Sequence, residues 1–407
     1  MRVLWIAAEC SLQDKDGCAG LVSRHEQAYR EFSGEKCALG VTYMSDGSYP
    51  EELTRGGISY FPLDAKLTVE SSEEEWEKAR NGLLKVIEEF RPDVIHCFGA
   101  EWPYGAIVES TSVPVAIHMM GYLNIYFDSL AMIYGTRTLS RVEKCLRIVF
   151  PGRRRSEENA RKTINRLAER ERQIMTKNRF FLGRTEWDKN IVKYYSPGAT
   201  YFCVPEAVKP VVYAALGSWR YHYNGTLMLF SFSLGDDRKG NGIILQTAKV
   251  LKELMGIKFR WILAGSKAFM PRFEESTGIR CEDVNIEQIG MIGDEQIVEE
   301  LKKADFCIHP SVIDNSPHAV CEAQLVGCPV IASNVGGLPK LVQDGKTGWL
   351  YPYNEPHTLA FLLGNLYRDR ELLMKVSAKE TEIAGARHNP QHVIGELLKA
   401  YEKIVTH

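Results

Sequence analysis

HPSVIDNSPHAVCEAQLVGCPVIASNVGG, residues 309–337, decides how the chain folds. An apolar run, DFCIHP at 305–310, delivers the chain to Asp314. Ser316 can cap a helix, and Pro317 suits its first position, where a missing N–H costs nothing. The helix runs to about Val326, with Gly327 just past its end. CPVIAS, 328–333, then returns as a second apolar run. Short apolar runs separated by a helix describe a parallel sheet covered on both faces. In such sheets ligands bind beyond the carboxyl ends of the strands, where this helix begins. Its first amides, at His318 and Ala319, form a ready site for a diphosphate. Asp314 lies just before that site and Glu322 about two turns inside the helix. A bound ligand could meet a carboxylate at each end, with hydroxyl groups as natural partners.

The same pattern extends outward. LMLFSFS (227–233) is a strand, followed by a Lys-Gly turn and a helix over 242–254; FRWILAG (259–265) is the next strand. Toward the N-terminus, Arg2–Ala8 is a strand, a Gly-containing turn spans Asp16–Gly20, and a helix covers about 21–32. Ser72 and Glu75 have capping-box spacing, and the helix they open carries Trp76, Ala79, Leu83, Leu84, Ile87 and Phe90 on one face. Val94–Phe98 and Pro114–His118 (PVAIH) follow as strands. Phe181–Asp188 (FLGRTEWD) reads as the first half's last strand and turn, without assigned chemistry. Two such halves mean two Rossmann-like domains, with the two-proline stretch Val204–Pro210 as linker. The expected division is 1–205, 206–384 and a terminal segment 385–407.

Length and composition agree. At 407 residues, 45% apolar and 25% charged, the chain suits two soluble domains rather than a disordered or membrane-spanning protein. A net charge of −2 disfavours a general nucleic-acid-coating role. The ten cysteines include no CxxC pair, so zinc-ribbon and thioredoxin readings fail. They read as reduced core thiols in a cytoplasmic protein. The apolar start is too short for a signal peptide and reads as a first strand.

One region departs from the pattern. Between Arg137 and Arg172 stand twelve basic and five acidic residues. A basic amphipathic element of this kind can sit at an anionic membrane surface, each nearby charge adding about 1 kcal/mol. The alternative is a solvated helix whose Arg and Glu side chains pair along its length.

The segment 309–337 resembles the donor-site motif of family-4 retaining glycosyltransferases of the GT-B fold. There, two acidic residues eight positions apart precede an Ala-x-x-x-Gly-x-Pro-Val-Ile run. Here these are Asp314 and Glu322, then Ala323, Gly327, Pro329, Val330 and Ile331, with Gly336-Gly337 beyond. The resemblance implies two Rossmann-like domains facing across a cleft and a terminal helix, within Ala384–Val405, crossing back onto the first domain. It implies that Glu322 holds the nucleotide ribose and Asp314 the donor sugar, with Ser316, His318 and Ala319 at the diphosphate. Asp replaces the family's usual Glu at 314.

Lys239, in Asp237-Arg238-Lys239-Gly240, matches the lysine that neutralises the leaving diphosphate. The family's companion arginine is missing, with Arg238 as one substitute. Gly265 and Met291 fall at positions lining the base, His118 at the histidine facing the donor sugar, and Gly17 and Gly20 in the first, glycine-rich loop. The match is close over 226–405 and loose over 1–205.

The activity so implied is retaining transfer of a hexosyl or N-acetylhexosaminyl group from a nucleotide-diphosphate donor, with UDP the commonest carrier, to an acceptor hydroxyl. The basic stretch inclines the acceptor toward a lipid-linked saccharide, with the protein peripheral at the inner membrane face. No metal or other cofactor is expected, since lysine and helix dipoles supply the neutralising charge. A nucleotide-sugar epimerase of the same fold and an inactive nucleotide-sugar-binding scaffold are the alternatives.

Overall fold

A computed structural model describes residues 1–13, 20–34, 37–45, 47, 53–126, 151–232 and 237–407, with 151–161 and 237 described as backbone only. Two sheets organise these described residues. The first has eight strands: β1 (Arg2–Ala7), β2 (Ala38–Ser45), β3 (Thr54–Arg55), β4 (Ile58–Asp64), β5 (Val94–Phe98), β6 (Val115–His118), β7 (Phe180–Gly183) and β8 (Thr200–Cys203). Their order is β3-β4-β2-β1-β5-β6-β7-β8. Among the described residues only the two-residue edge strand β3 runs antiparallel. The second sheet contains β9 (Leu227–Phe232), β10 (Phe259–Ala264), β11 (Ile286–Gly290), β12 (Phe306–His309), β13 (Val330–Ser333) and β14 (Trp349–Tyr351), ordered β11-β10-β9-β12-β13-β14. All its pairings are parallel.

Parallel strands leave no face open to water, and the burial follows. Val3, Leu4, Trp5, Ile6 and Ala7 of β1 are all fully buried. Alternate residues serve opposite faces: Val3, Trp5 and Ala7 join one core cluster, while Leu4 and Ile6 join another. The second domain has a single core in which Trp261, Phe230 and Phe306 are among the largest buried side chains.

The expected strands and the helix after Ser72 are present with small shifts at their ends. Ser72 Oγ accepts from the Glu75 amide and Glu75 Oε2 accepts from the Ser72 amide at 2.7 Å, completing the capping box. Arg91 ends that helix in the left-handed conformation, φ 48°. One boundary differs. The last strand of the first sheet is β8, and Phe180–Gly183 is the strand before it.

The stretch read as a linker is also different in character. Val204, Glu206, Ala207 and Val208 are buried, because the chain passes between the domains instead of over them. Helix Arg370–Arg387 puts Leu373, Val376 and Ala384 into the second core. Helix Pro390–Val405 then crosses back, placing Val393, Ile394, Leu397, Ala400, Tyr401 and Ile404 in the first core. Tyr401 Oη accepts a hydrogen bond from Trp5 Nε1 at 2.8 Å, so the two ends of the sequence meet.

The basic stretch lies partly outside the described residues, at 137–150. Within the helix Pro151–Lys177, the exposed Arg166 and the half-buried Arg170 bond to carbonyls of neighbouring loops. Arg166 donates to the carbonyls of Glu70 and Ser71, and Arg170 to those of Ser71, Val69 and Glu101. Arg172 pairs with Glu169 at 2.8 Å on the surface. Among the described residues no helix is long and apolar enough to cross a membrane.

Candidate active site

The strand orders reverse between β1 and β5 in one sheet and between β9 and β12 in the other. Loops leaving strands at such switch points build ligand clefts. A cleft of about 470 Å³ lies between the domains, lined by loops from both. The first domain contributes Glu101 after β5, Met120–Leu123 and Tyr126 after β6, and Arg184 after β7. The second contributes Arg238 and Lys239 after β9, and Asp314–Ala319 after β12.

The helix opening at this cleft runs His318–Val326. Pro317 is its N-cap, one position later than the Ser316 cap the sequence suggests, and Gly327 closes it with φ 88°. Ser316 does not cap the helix. Its hydroxyl donates to the buried carboxylate of Glu206. Burial pushes the Glu206 carboxyl up, but the Arg184 guanidinium overrides it and holds the group well below its usual range.

Asp314 is the most heavily bonded carboxylate in the cleft. Its Oδ2 accepts from Lys239 Nζ at 2.7 Å, His309 Nε2 at 3.0 Å and Ser311 Oγ at 3.2 Å, and its Oδ1 from the Asn315 amide at 3.1 Å. Burial raises its pKa, but the Lys239 charge and the His309 bond together hold it far below the ordinary value. Asp314 is therefore ionised throughout the physiological range. Arg238 stacks its guanidinium 4.3 Å from the centre of the Tyr126 ring, a cation–π contact joining the domains.

Glycines let these loops close. Gly240, just after Lys239, has φ 73°, and a Cβ there would stand 1.9 Å from the Pro310 carbonyl oxygen. Gly336 has φ 54°, and a Cβ would meet the Asp314 carbonyl oxygen at 2.0 Å. The pair Gly336-Gly337 is thus the floor on which the Asp314 loop rests.

Other expected residues fall elsewhere. Glu322 is buried outside the cleft lining and pairs with Arg24 at 3.2 Å. Burial raises its pKa, partly offset by Arg24 and Lys209. Gly265 lines a separate, smaller cavity with Asn241, Ser266, Met270 and Gln288. Met291 is 74% exposed, on the surface and not in the cleft. Gly20 precedes the helix Leu21–Phe32 that carries Arg24, and Gly17 lies outside the described residues.

His118 does not line the cleft. It is the last residue of β6, still paired within the sheet, and the chain leaves the sheet only after Met119 donates to the Leu182 carbonyl. Its ring is buried against His96 and Phe98, with Nδ1 3.2 Å from His96 Nε2. Burial depresses the pKa of His118 well below that of a free histidine, so it is neutral. Met120 and Gly121 hold the cleft position instead.

Several site residues escape sequence reading. Thr185 and Asp188 of FLGRTEWD form a capping box, and both also reach the second domain. Thr185 Oγ1 donates to Asn315 Oδ1 at 2.7 Å, and Asn315 Nδ2 donates to Asp188 Oδ2 at 3.0 Å. The neighbouring Arg184 donates to the carbonyls of Met119 and Met120 at 3.2 and 3.3 Å and borders the cleft. The spacing Thr185-x-x-Asp188 signals a helix start; its interdomain role has no local signature.

Residues 223–382 match the family model described as Glycosyl transferases group 1. That stretch resembles a group 1 glycosyl transferase domain. The chain is 28% identical over 186 residues to the WcaL glycosyltransferase of Salmonella typhimurium, provisionally assigned to colanic acid biosynthesis, covering 44% of this chain and 45% of that protein. It is 28% identical over 145 residues to the amylovoran biosynthesis glycosyltransferase AmsK of Erwinia amylovora, covering 34% and 35% of the two chains. These alignments span less than half of the curated relatives. The whole chain superposes on a sucrose-phosphate synthase from Thermosynechococcus elongatus with TM-score 0.75 at 14% identity, covering 100% of this chain and 99% of that one. Anabaena HepE in complex with UDP and glucose gives 0.63 at 14% identity, covering 98% and 99%. The matched stretch is therefore the second half of a GT-B fold.

Proposed function

We propose that this protein is a retaining glycosyltransferase that takes a sugar from a UDP-linked donor to the hydroxyl of a lipid-linked saccharide in polysaccharide assembly. The observation carrying this reading is the convergence of Lys239, Asp314 and the first turn of the His318–Val326 helix on one interdomain cleft. A cation and a helix N-terminus together suit a diphosphate, whose charge grows as the sugar departs. UDP is favoured because HepE, a structural neighbour, was solved with UDP and glucose. A polysaccharide acceptor is favoured by the names of WcaL and AmsK.

In this reading the bond from the sugar C1 to the β-phosphate oxygen breaks toward Lys239. The acceptor oxygen bonds to C1 on the same face, and its proton passes to the departing phosphate oxygen. Asp314, fixed as an anion, faces the positive charge that develops on the sugar ring. Closure of the two domains aligns the acceptor and excludes water, favouring transfer over hydrolysis. Lys239 and the helix dipole supply the neutralisation that a metal gives elsewhere, so transfer is proposed to be metal-independent. Acceptor presentation at the inner membrane face would rest on the basic stretch before Arg166, since Arg166 and Arg170 are committed to protein carbonyls.

The test is incubation with a panel of UDP-, GDP- and ADP-sugars, following nucleotide release and the anomeric proton of the product by NMR. Release confined to the UDP series with retained anomeric configuration supports the reading. An inverted product, or release from none of them with any acceptor, overturns it.

A further inference from the structure

Glu101 stands in the loop after β5, on the first-domain wall of the cleft. Nothing in its sequence context, Gly99-Ala-Glu-Trp102, marks it out. In the structure its side chain folds back over Gly99, where φ is 104° and a Cβ would meet Oε2 at 2.7 Å. Its own carbonyl accepts from Arg170 Nη2 at 3.0 Å, which fixes the loop against the helix Pro151–Lys177. Oε2 is buried and has no hydrogen-bond partner among the described residues. An unpartnered buried polar atom on a residue that lines a ligand cleft points to a partner supplied by the ligand.

The surroundings decide what kind of donor or acceptor this carboxyl is. Burial is the main influence and disfavours the charged form. Its own backbone amide favours the charged form, Glu171 opposes it with like charge, and the Arg184 guanidinium and the Gly121 amide add to the offset, which stays only partial. Tyr104 and Tyr126 also border it, and burial keeps both phenols protonated. The Glu101 pKa rises to about 8, so near neutrality the group is a carboxylic acid with an O–H to give. Glu171 holds its own carboxylate on the amides of Leu123 and Asn124, at 2.8 and 3.0 Å, and does not compete for that proton.

We propose that Glu101 is a sugar-recognition residue, hydrogen-bonding through its unpartnered oxygen to a hydroxyl of the donor sugar from the first-domain side of the cleft. This rests on the donor-site reading above. With the diphosphate at the His318–Val326 helix and Asp314 on one side of the ring, Glu101 meets the sugar from the opposite domain. It binds only once the domains face each other, so sugar recognition and closure are linked through one side chain. A site built to bond a hydroxyl discriminates strongly against ligands that lack it, because its polar group is then left buried and unpaired.

The experiment compares UDP with UDP-glucose, UDP-galactose and UDP-N-acetylglucosamine by titration calorimetry on the full chain, for the wild type, Glu101→Gln and Glu101→Ala. At neutral pH, Glu101→Ala is expected to weaken the preferred UDP-sugar about tenfold while leaving UDP unchanged. Glu101→Gln keeps the shape and a donor group, and is expected to stay within about threefold of the wild type. Raising the pH past 8 should erode the wild-type preference for UDP-sugar over UDP and spare that of Glu101→Gln. If Glu101→Ala weakens UDP and UDP-sugar equally, or weakens neither, Glu101 does not read the sugar. If Glu101→Gln loses as much as Glu101→Ala while folding normally, an ionised carboxylate is required and the neutral-acid contact is wrong. Absence of UDP binding by the wild type would instead bring down the donor-site reading itself.

Discussion

Arg24, on the first domain, donates from Nη1 to Glu322 Oε1 on the second across 3.2 Å, and the same nitrogen stands 2.8 Å from His318 Nδ1. One guanidinium thus ties the carboxylate expected to meet the ribose to the histidine at the mouth of the helix. Both Arg24 and Glu322 side chains are largely buried, at 11% and 5% exposure. Removing one partner leaves the other charge uncompensated in a dry site. Arg24→Ala should therefore cost about 3 kcal/mol of stability. Arg24→Lys, which keeps the charge without the fork, should cost less. Calorimetric melting of both variants checks the order, and equal midpoints for all three proteins would contradict it.

Gly240→Ala and Gly336→Ala test the backbone under the donor loops. Each adds a methyl group within about 2 Å of a carbonyl oxygen, at Pro310 and Asp314 respectively, and at positive φ. The loops carrying Lys239 and Asp314 must shift. Donor affinity and turnover should both fall at least about a hundredfold, as misplacement by an ångström does elsewhere. Gly278→Ala, also at positive φ but with nothing within 4 Å, is the control. It carries the conformational penalty without the clash and should keep full activity.

Acid should destabilise the first domain through its buried histidines. His25 is pushed down to about 4 by burial, and His96 and His118 are held well below the ordinary value for the same reason. A histidine whose folded pKa is depressed leaves the unfolded chain holding more protons between the two values. Stability is therefore fully present above pH 6.5 and falls as the pH drops toward 4. His25 alone accounts for a loss on the order of 3 kcal/mol across that window. Asp314, whose folded pKa is depressed, adds a further loss at lower pH as its carboxyl protonates in the unfolded state. Urea unfolding at pH 7.5, 6 and 5 reads this directly, and a flat profile would exclude it.

Chelation addresses how the leaving group is neutralised. With Lys239 and the helix dipole doing that work, EDTA should leave turnover within about twofold of its starting value. Lys239→Ala should lower turnover by about 10²–10³. A collapse of turnover in EDTA that added magnesium restores would assign the task to a metal ion.

The second domain is far more legible in the sequence than the first. Its strands are continuous apolar runs, and the eight-residue step from Asp314 to Glu322 spans the start of a helix whose end Gly327 marks. Local chemistry fixes all of these features. His118 shows the limit, because whether a strand's last residue enters the cleft depends on where the chain leaves the sheet. That point is set by the Met119 bond to Leu182, 63 positions away, counted from the two residue numbers. Glu101, Arg184 and Asn315 escape for a related reason. Each owes its role to a partner or vacancy on another element, and no local periodicity encodes such a meeting. The linker is the converse case, where two prolines suggest an exposed connector but Glu206 is buried as a charged hub between Arg184 and Ser316.

The most direct test is titration calorimetry of UDP into the wild type and Lys239→Ala, supported by thermal unfolding. Binding of UDP to the wild type should raise stability by about 2.7 kcal/mol at a hundred times the dissociation constant, and Lys239→Ala should lose most of that gain. Equal affinity in the two proteins, or no heat and no stabilisation in either, would contradict the assignment of this cleft to a nucleotide-diphosphate sugar.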